Sequence, residues 1–152
     1  MKNIDAELRQ LLIQDLSTLR KAASIFSKSY EICRNIDLQK EPNFEELTEF
    51  EAMSSRFARL VDLLIQKIFR TIDELNLAPQ GTVRDSINRA EKNGLIESAE
   101  KLVEMRRLRN QIAHEYVIEK LAFLFERIVM LAPALLESIE LTCNYCAKKL
   151  KN

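Results

Sequence analysis

Residues 43–75 read NFEELTEFEAMSSRFARLVDLLIQKIFRTIDEL, and the fold follows from this stretch. Asn43 followed three residues later by Glu46 is a capping-box pattern, so a helix should begin here. Glu45, Glu46, Glu49 and Glu51 crowd its first turns, where the helix dipole favours negative charge. Phe50, Met53, Phe57, Leu60, Leu64, Ile68, Ile72 and Leu75 then recur in steps of three and four. That spacing puts an apolar stripe on one side of a single long helix. Upstream, Glu41-Pro42 closes an earlier helix over about residues 4–37. Ile4, Leu8, Leu11, Leu12, Leu19, Ala23, Phe26, Tyr30 and Cys33 give its stripe. Downstream, Ala78-Pro79-Gln80-Gly81 is a break. Thr82 and Asp85 form a second cap, and a short helix runs to Asn93-Gly94, a helix stop. A fourth helix spans Ile96 to Ile112. A fifth starts near Ala113 to Glu115 and carries Val117, Leu121, Leu124, Ile128, Leu131, Leu135 and Ile139. Pro133 inside it should kink or break it, and Lys148, Lys149 and Lys151 suit its C-terminal end.

The expected architecture is all-α, an antiparallel up-and-down bundle of four to five helices, with residues 1–152 as one domain. Two helices of roughly 30 residues would each be about 45 Å long. Either they extend an apolar stripe for a second copy, or they bend around one core.

Composition agrees. The 152 residues include two glycines and three prolines, too few for the turns of a sheet protein or a glycine-rich phosphate loop. Lys plus Arg and Asp plus Glu number 23 each, so a basic nucleic-acid coat is excluded, though a local basic patch is not. No run is long and apolar enough to span a membrane. Met1-Lys2-Asn3 leads into charged residues rather than a signal-type apolar run. The three cysteines, Cys33, Cys143 and Cys146, suit a reducing compartment, so a cytoplasmic protein is expected. Cys143-Asn144-Tyr145-Cys146 is half of a zinc site with no second half, on an amphipathic helix where cysteine commonly packs.

The chemistry concentrates in Met105-Arg106-Arg107-Leu108-Arg109-Asn110-Gln111-Ile112-Ala113-His114-Glu115-Tyr116. Three arginines precede His114, the only histidine, at a helix junction. Arginine carries a fixed charge on a fork that fits phosphate oxygens. Histidine gives and takes protons near neutral pH. Together they are a minimal set for cleaving RNA without a metal: imidazole moves the proton of the 2′-hydroxyl or the leaving oxygen, and arginine stabilises phosphate charge. The plainer reading is a capping histidine and a solvated arginine face. On an unbroken helix Arg109 and His114 point roughly 140° apart, and His114 and Tyr116 roughly 160° apart. Either the chain bends between Arg109 and Tyr116, or a second subunit completes the site.

Arg109-x4-His114-x-Tyr116, written RNQIAHEY, resembles the signature of HEPN domains, and most closely that of HepT-like toxins of toxin–antitoxin pairs. The long first helix, the second helix with Ser55-Arg56-Phe57-Ala58-Arg59-Leu60-Val61-Asp62, the short third and the kinked last helix are similar to that family as well. The resemblance implies a metal-independent endoribonuclease, with no cofactor, whose homodimer turns two such motifs into one cleft. It implies that Arg109 contacts or polarises the scissile phosphate and that His114 is the acid–base residue or orients the 2′-hydroxyl. Asn110 would position the site, and Arg106 and Arg107 would add RNA backbone contacts. The implied partner is a MntA-like nucleotidyltransferase antitoxin that adds AMP to Tyr116. Phosphate-bearing groups beside the cleft would then repel RNA. The competing expectation is a non-catalytic helical binding or scaffold subunit of a nucleotidyltransferase complex, in which the Arg/His cluster holds nucleotide. A third is a structural four-helix interaction protein with a packed histidine.

Overall fold

A computed structural model describes residues 2–152, with side-chain surroundings from Asn3 onward. It is an all-α helical bundle. Helix α1 spans Lys2–Cys33, α2 Phe44–Asp62, a π-helical segment Leu63–Ile68, and α3 Phe69–Leu75. Helix α4 spans Val83–Lys92, α5 Ala99–His114 and α6 Ile118–Lys151. The second predicted helix is therefore one rod from Phe44 to Leu75, but its middle is wound more loosely than an α-helix. Periodicity hid this, because the core positions Leu64, Ile65 and Ile68 stay buried through it.

The starts are set by local polar chemistry. Asn43 Oδ1 accepts from the Glu46 amide at 2.8 Å, and Glu46 Oε1 accepts from the Asn43 amide at 3.0 Å. Thr82 and Asp85 exchange the same pair of bonds at 3.1 and 2.8 Å. Helix α5 begins later than its apolar pattern suggests, after Ser98, whose hydroxyl accepts from the Lys101 amide. Leu95 and Ile96 lie before it as buried link residues. Helix α6 continues through Pro133 without a break. Pro133 has no N–H, so it cannot donate to the Val129 carbonyl, but the flanking turns keep their packing.

Helices α3 and α4 end in the same way. The Gly94 amide donates to Glu91 O and the Leu95 amide to Ala90 O. The Leu77 amide donates to Glu74 O and the Ala78 amide to Asp73 O. Both are the double closure that needs a left-handed residue after the helix. Gly94 takes φ 81° freely, whereas Leu77 is held at φ 55°.

Helix α1 packs against α2, α3, the π segment and α6, while α5 packs against α2, α4 and α6. Arg9 near the start of α1 donates to the Lys149 carbonyl near the end of α6, so these two helices run antiparallel. Phe50 and Phe125 stack at 5.0 Å, and Phe26 meets Phe57 at 6.2 Å. Polar ties hold the shorter elements. Asp73 receives a fork from Arg89 at 3.1 and 2.9 Å and the Ser86 hydroxyl at 2.7 Å, fixing α4 to α3. The Thr142 hydroxyl donates to Leu95 O at 3.0 Å, pinning the α4–α5 link to α6. No helix is long and apolar enough to cross a membrane among the described residues.

All three cysteines are free thiols. Burial, with a smaller push from Glu49, raises Cys33 to about 11. Burial, then neighbouring Cys143, raises Cys146 to about 12. Burial also raises Cys143, with Arg20 opposing it. Thiols so reluctant to ionise are packing residues, as the reading of this CxxC as helix-borne cysteine expects.

Candidate active site at the junction of α5 and α6

The arginine–histidine run lies on the last three turns of α5. Leu102, Met105 and Leu108 are buried and fix which way the helix faces. Arg106, Arg107 and Asn110 are thereby turned outward and exposed. Arg109 is turned toward α2. Its Nε donates to Asp62 Oδ1 at 3.0 Å and its Nη2 to Asp62 Oδ2 at 2.9 Å, a two-pronged pair. Asp62 is the last residue of α2, immediately before the π segment. The pair is partly open to solvent, so its worth for stability is within about 1 kcal/mol. Its effect is positional: it holds the fork still and leaves Nη1 without a hydrogen-bond partner among the described residues.

Helix α5 stays helical through His114 and then stops. The backbone turns extended at Glu115 and remains so at Val117, the residue before α6. The bend that the motif requires is therefore present, but it comes after the histidine. Arg109 and His114 stay on one helix and face roughly 140° apart. The bend re-aims only Tyr116, which stands 87% exposed on the link. Of the two ways to gather the motif, a bend inside one chain does not unite Arg109 with His114.

His114 is exposed and borders an open groove of about 570 Å³. Gln111 and Glu115 share its α5 side, and Glu119, Lys120 and Phe123 form the α6 side. Two carboxylates against one lysine and the histidine do not make a basic channel. Arg106, Arg107 and Arg109 do not line it. The structure thus brings His114 beside a cavity, displays Tyr116 and Asn110 nearby, and keeps Arg109 on a different side of α5. Phe123, 63% exposed, and Met130, two turns further along α6, add an apolar surface next to the motif. Among the described residues no three metal-ligating side chains stand together.

Sequence reasoning gave Asp62 no role. It lies 47 positions before Arg109, and only the packing of α5 on α2 brings the two together. The α6 side of the groove was missed as well, because Glu119, Lys120 and Phe123 read as ordinary outward positions of a helix start. Compared with protein families, with curated proteins and with solved structures, the chain finds no match.

Proposed function

We propose that this protein is a HepT-like HEPN toxin, a cytoplasmic, metal-independent endoribonuclease that works as a homodimer. The observation that carries the reading is the placement of His114: the only imidazole stands exposed at the end of α5, beside an open groove, one turn past a rigidly held arginine. The angle between Arg109 and His114 favours a two-copy site, in which each motif supplies what the other aims away. The exposed apolar surface of Phe123, Met130, Val117 and Ile118 is where a second copy would close on the motif.

The chemistry is balanced without a metal. One His114 takes the proton of the 2′-hydroxyl as its oxygen bonds to phosphorus. The bond from phosphorus to the 5′-oxygen breaks, and the other His114 returns a proton to that oxygen. The products are a 2′,3′-cyclic phosphate and a 5′-hydroxyl. Arg109, with Nη1 free, stabilises the charge on the phosphate, and Asn110, Arg106 and Arg107 hold the RNA backbone. Tyr116, projecting on an extended link, suits a MntA-like nucleotidyltransferase partner. Its phenolic oxygen gives up its proton to solvent and bonds to the α-phosphorus of ATP, and pyrophosphate leaves. The added phosphate then repels RNA from the groove.

The test is an RNase assay in EDTA with wild type and His114→Ala. Wild type should release fragments with cyclic phosphate ends, and His114→Ala should lose at least a hundredfold. Intact mass after incubation with the partner and ATP should rise by AMP units in wild type and stay constant in Tyr116→Phe. The pairing of Arg109 with Asp62 favours one other reading, a non-catalytic scaffold subunit, since a carboxylate already occupies the arginine. Stable complex formation with the partner and no cleavage by unmodified wild type would establish that reading instead.

A further inference from the structure

Helix α1 carries two apolar stripes, each repeating every seven residues. Leu12, Leu19, Phe26 and Cys33 form the inner one and are buried in the core. Ile4, Leu11, Ile25 and Ile32 form the outer one, with the polar Thr18 at its middle step, and all are exposed, Ile25 at 48% and Ile4 at 61%. The core explains the first stripe and does not use the second. A strict seven-residue repeat sustained over about 42 Å of helix is the pattern of a coiled-coil seam rather than scattered surface leucine. Leu8, Asp15 and Ala22, four residues after Ile4, Leu11 and Thr18, complete it as the alternate positions and are half-buried.

We propose that this seam is a self-association surface, on which α1 of a second copy packs antiparallel. The charges along its outer flank choose the occupant. Glu7, Gln14, Lys21 and Lys28 run from acidic at the N-terminal end to basic at the C-terminal end. Antiparallel pairing of two identical helices puts Glu7 of each copy opposite Lys28 of the other and Gln14 opposite Lys21. Parallel pairing would turn this flank toward the buried row of Leu12, Leu19, Phe26 and Cys33 on the other copy, where no charge complements it. In the same antiparallel register Leu8 meets Ile25 of the second copy, and Leu11 meets the small Ala22. The central layer sets Asp15 against Thr18. One carboxylate oxygen of Asp15 is buried with no hydrogen-bond partner among the described residues. Turning the carboxylate toward the seam lets it accept from the Thr18 hydroxyl of the second copy. The chain's zero net charge places no long-range repulsion against such pairing.

This face is separate from the α5–α6 junction, since α1 packs on α2, α3 and α6 and not appreciably on α5. It does not rest on the nuclease reading. Two different self-complementary faces on one chain give a closed four-copy assembly or an open chain.

Sedimentation equilibrium over a concentration series tests the seam. Leu11→Glu/Ile25→Glu should lower the mass of the wild-type assembly to half or less, with helix content by circular dichroism unchanged. Single swaps Glu7→Lys and Lys28→Glu, at exposed positions, should each weaken association several-fold. The double swap Glu7→Lys/Lys28→Glu should restore it, which only antiparallel pairing explains. Wild type of the same mass as the seam variant, including a monomer whose seam awaits a different protein, overturns the proposal. So does a double swap that fails to rescue. If the seam variant loses helix content, the charge swaps decide alone. His114→Ala, which lies elsewhere, should leave the mass unchanged whether or not it cleaves RNA.

Discussion

Single side chains here act mainly by aiming other groups. Asp62 holds Arg109 by three hydrogen bonds from two guanidinium nitrogens, and the substitution Arg109→Lys would lose that geometry while keeping the charge. Asp85 shows the same economy at the start of α4. Bonds from the Thr82 amide, and then from its hydroxyl, hold the Asp85 carboxyl below its ordinary value of 3.8, with Arg89 a smaller help. A carboxyl lowered in the folded state contributes stability that is complete above the unfolded value and is lost as pH falls through the folded one. Asp85→Asn should therefore speed amide exchange in α4 relative to wild type at neutral pH. The two proteins should converge once the pH drops well below 3.8. A difference that persists in acid would mean that the Asp85 charge is not what closes this cap.

At the scale of elements, two helix ends with identical hydrogen bonding differ in one residue. Gly94 meets the left-handed requirement without cost, and Leu77 meets it with a side chain that is 90% exposed. Left-handed backbone costs an ordinary residue roughly 1–2 kcal/mol, part of which glycine returns through its freer unfolded chain. Leu77→Gly should raise unfolding stability by about 1 kcal/mol in a urea titration, with m unchanged. The bend after His114 is also an element-scale feature. It keeps the histidine in α5 and places Tyr116 on a separate, extended link.

The whole molecule is held by one core in which the rod of α2, the π segment and α3 lies against α1, α5 and α6. The stacked rings of Phe50 and Phe125 join α2 to α6 across it, both buried to within 1%. Phe125→Ala would remove one ring from a site that two long helices cannot collapse to fill. It should cost about 3–5 kcal/mol in chemical denaturation. It should also lower any activity at the α5–α6 junction through loss of folded protein rather than loss of turnover per folded molecule. His114→Ala should show the opposite pattern, since the histidine is exposed.

The helices were legible in the sequence because they are local: caps at Asn43 and Thr82, a stop at Gly94 and stripes at three- and four-residue steps depend only on near neighbours. The motif residues stood out as a candidate site for the same reason, being close together in the chain. What the sequence did not determine depends on distant contacts. The π segment keeps its apolar residues inward and so leaves the pattern undisturbed, and Leu77 carries no signal of left-handed backbone. The capture of Arg109 by Asp62 exists only because α5 packs on α2. The groove beside His114 exists only because α6 departs after an extended link. The outer stripe of α1 was visible as apolar residues at regular spacing. Only the folded chain separates it from the inner stripe, because burial is decided by which side of the helix its neighbours cover.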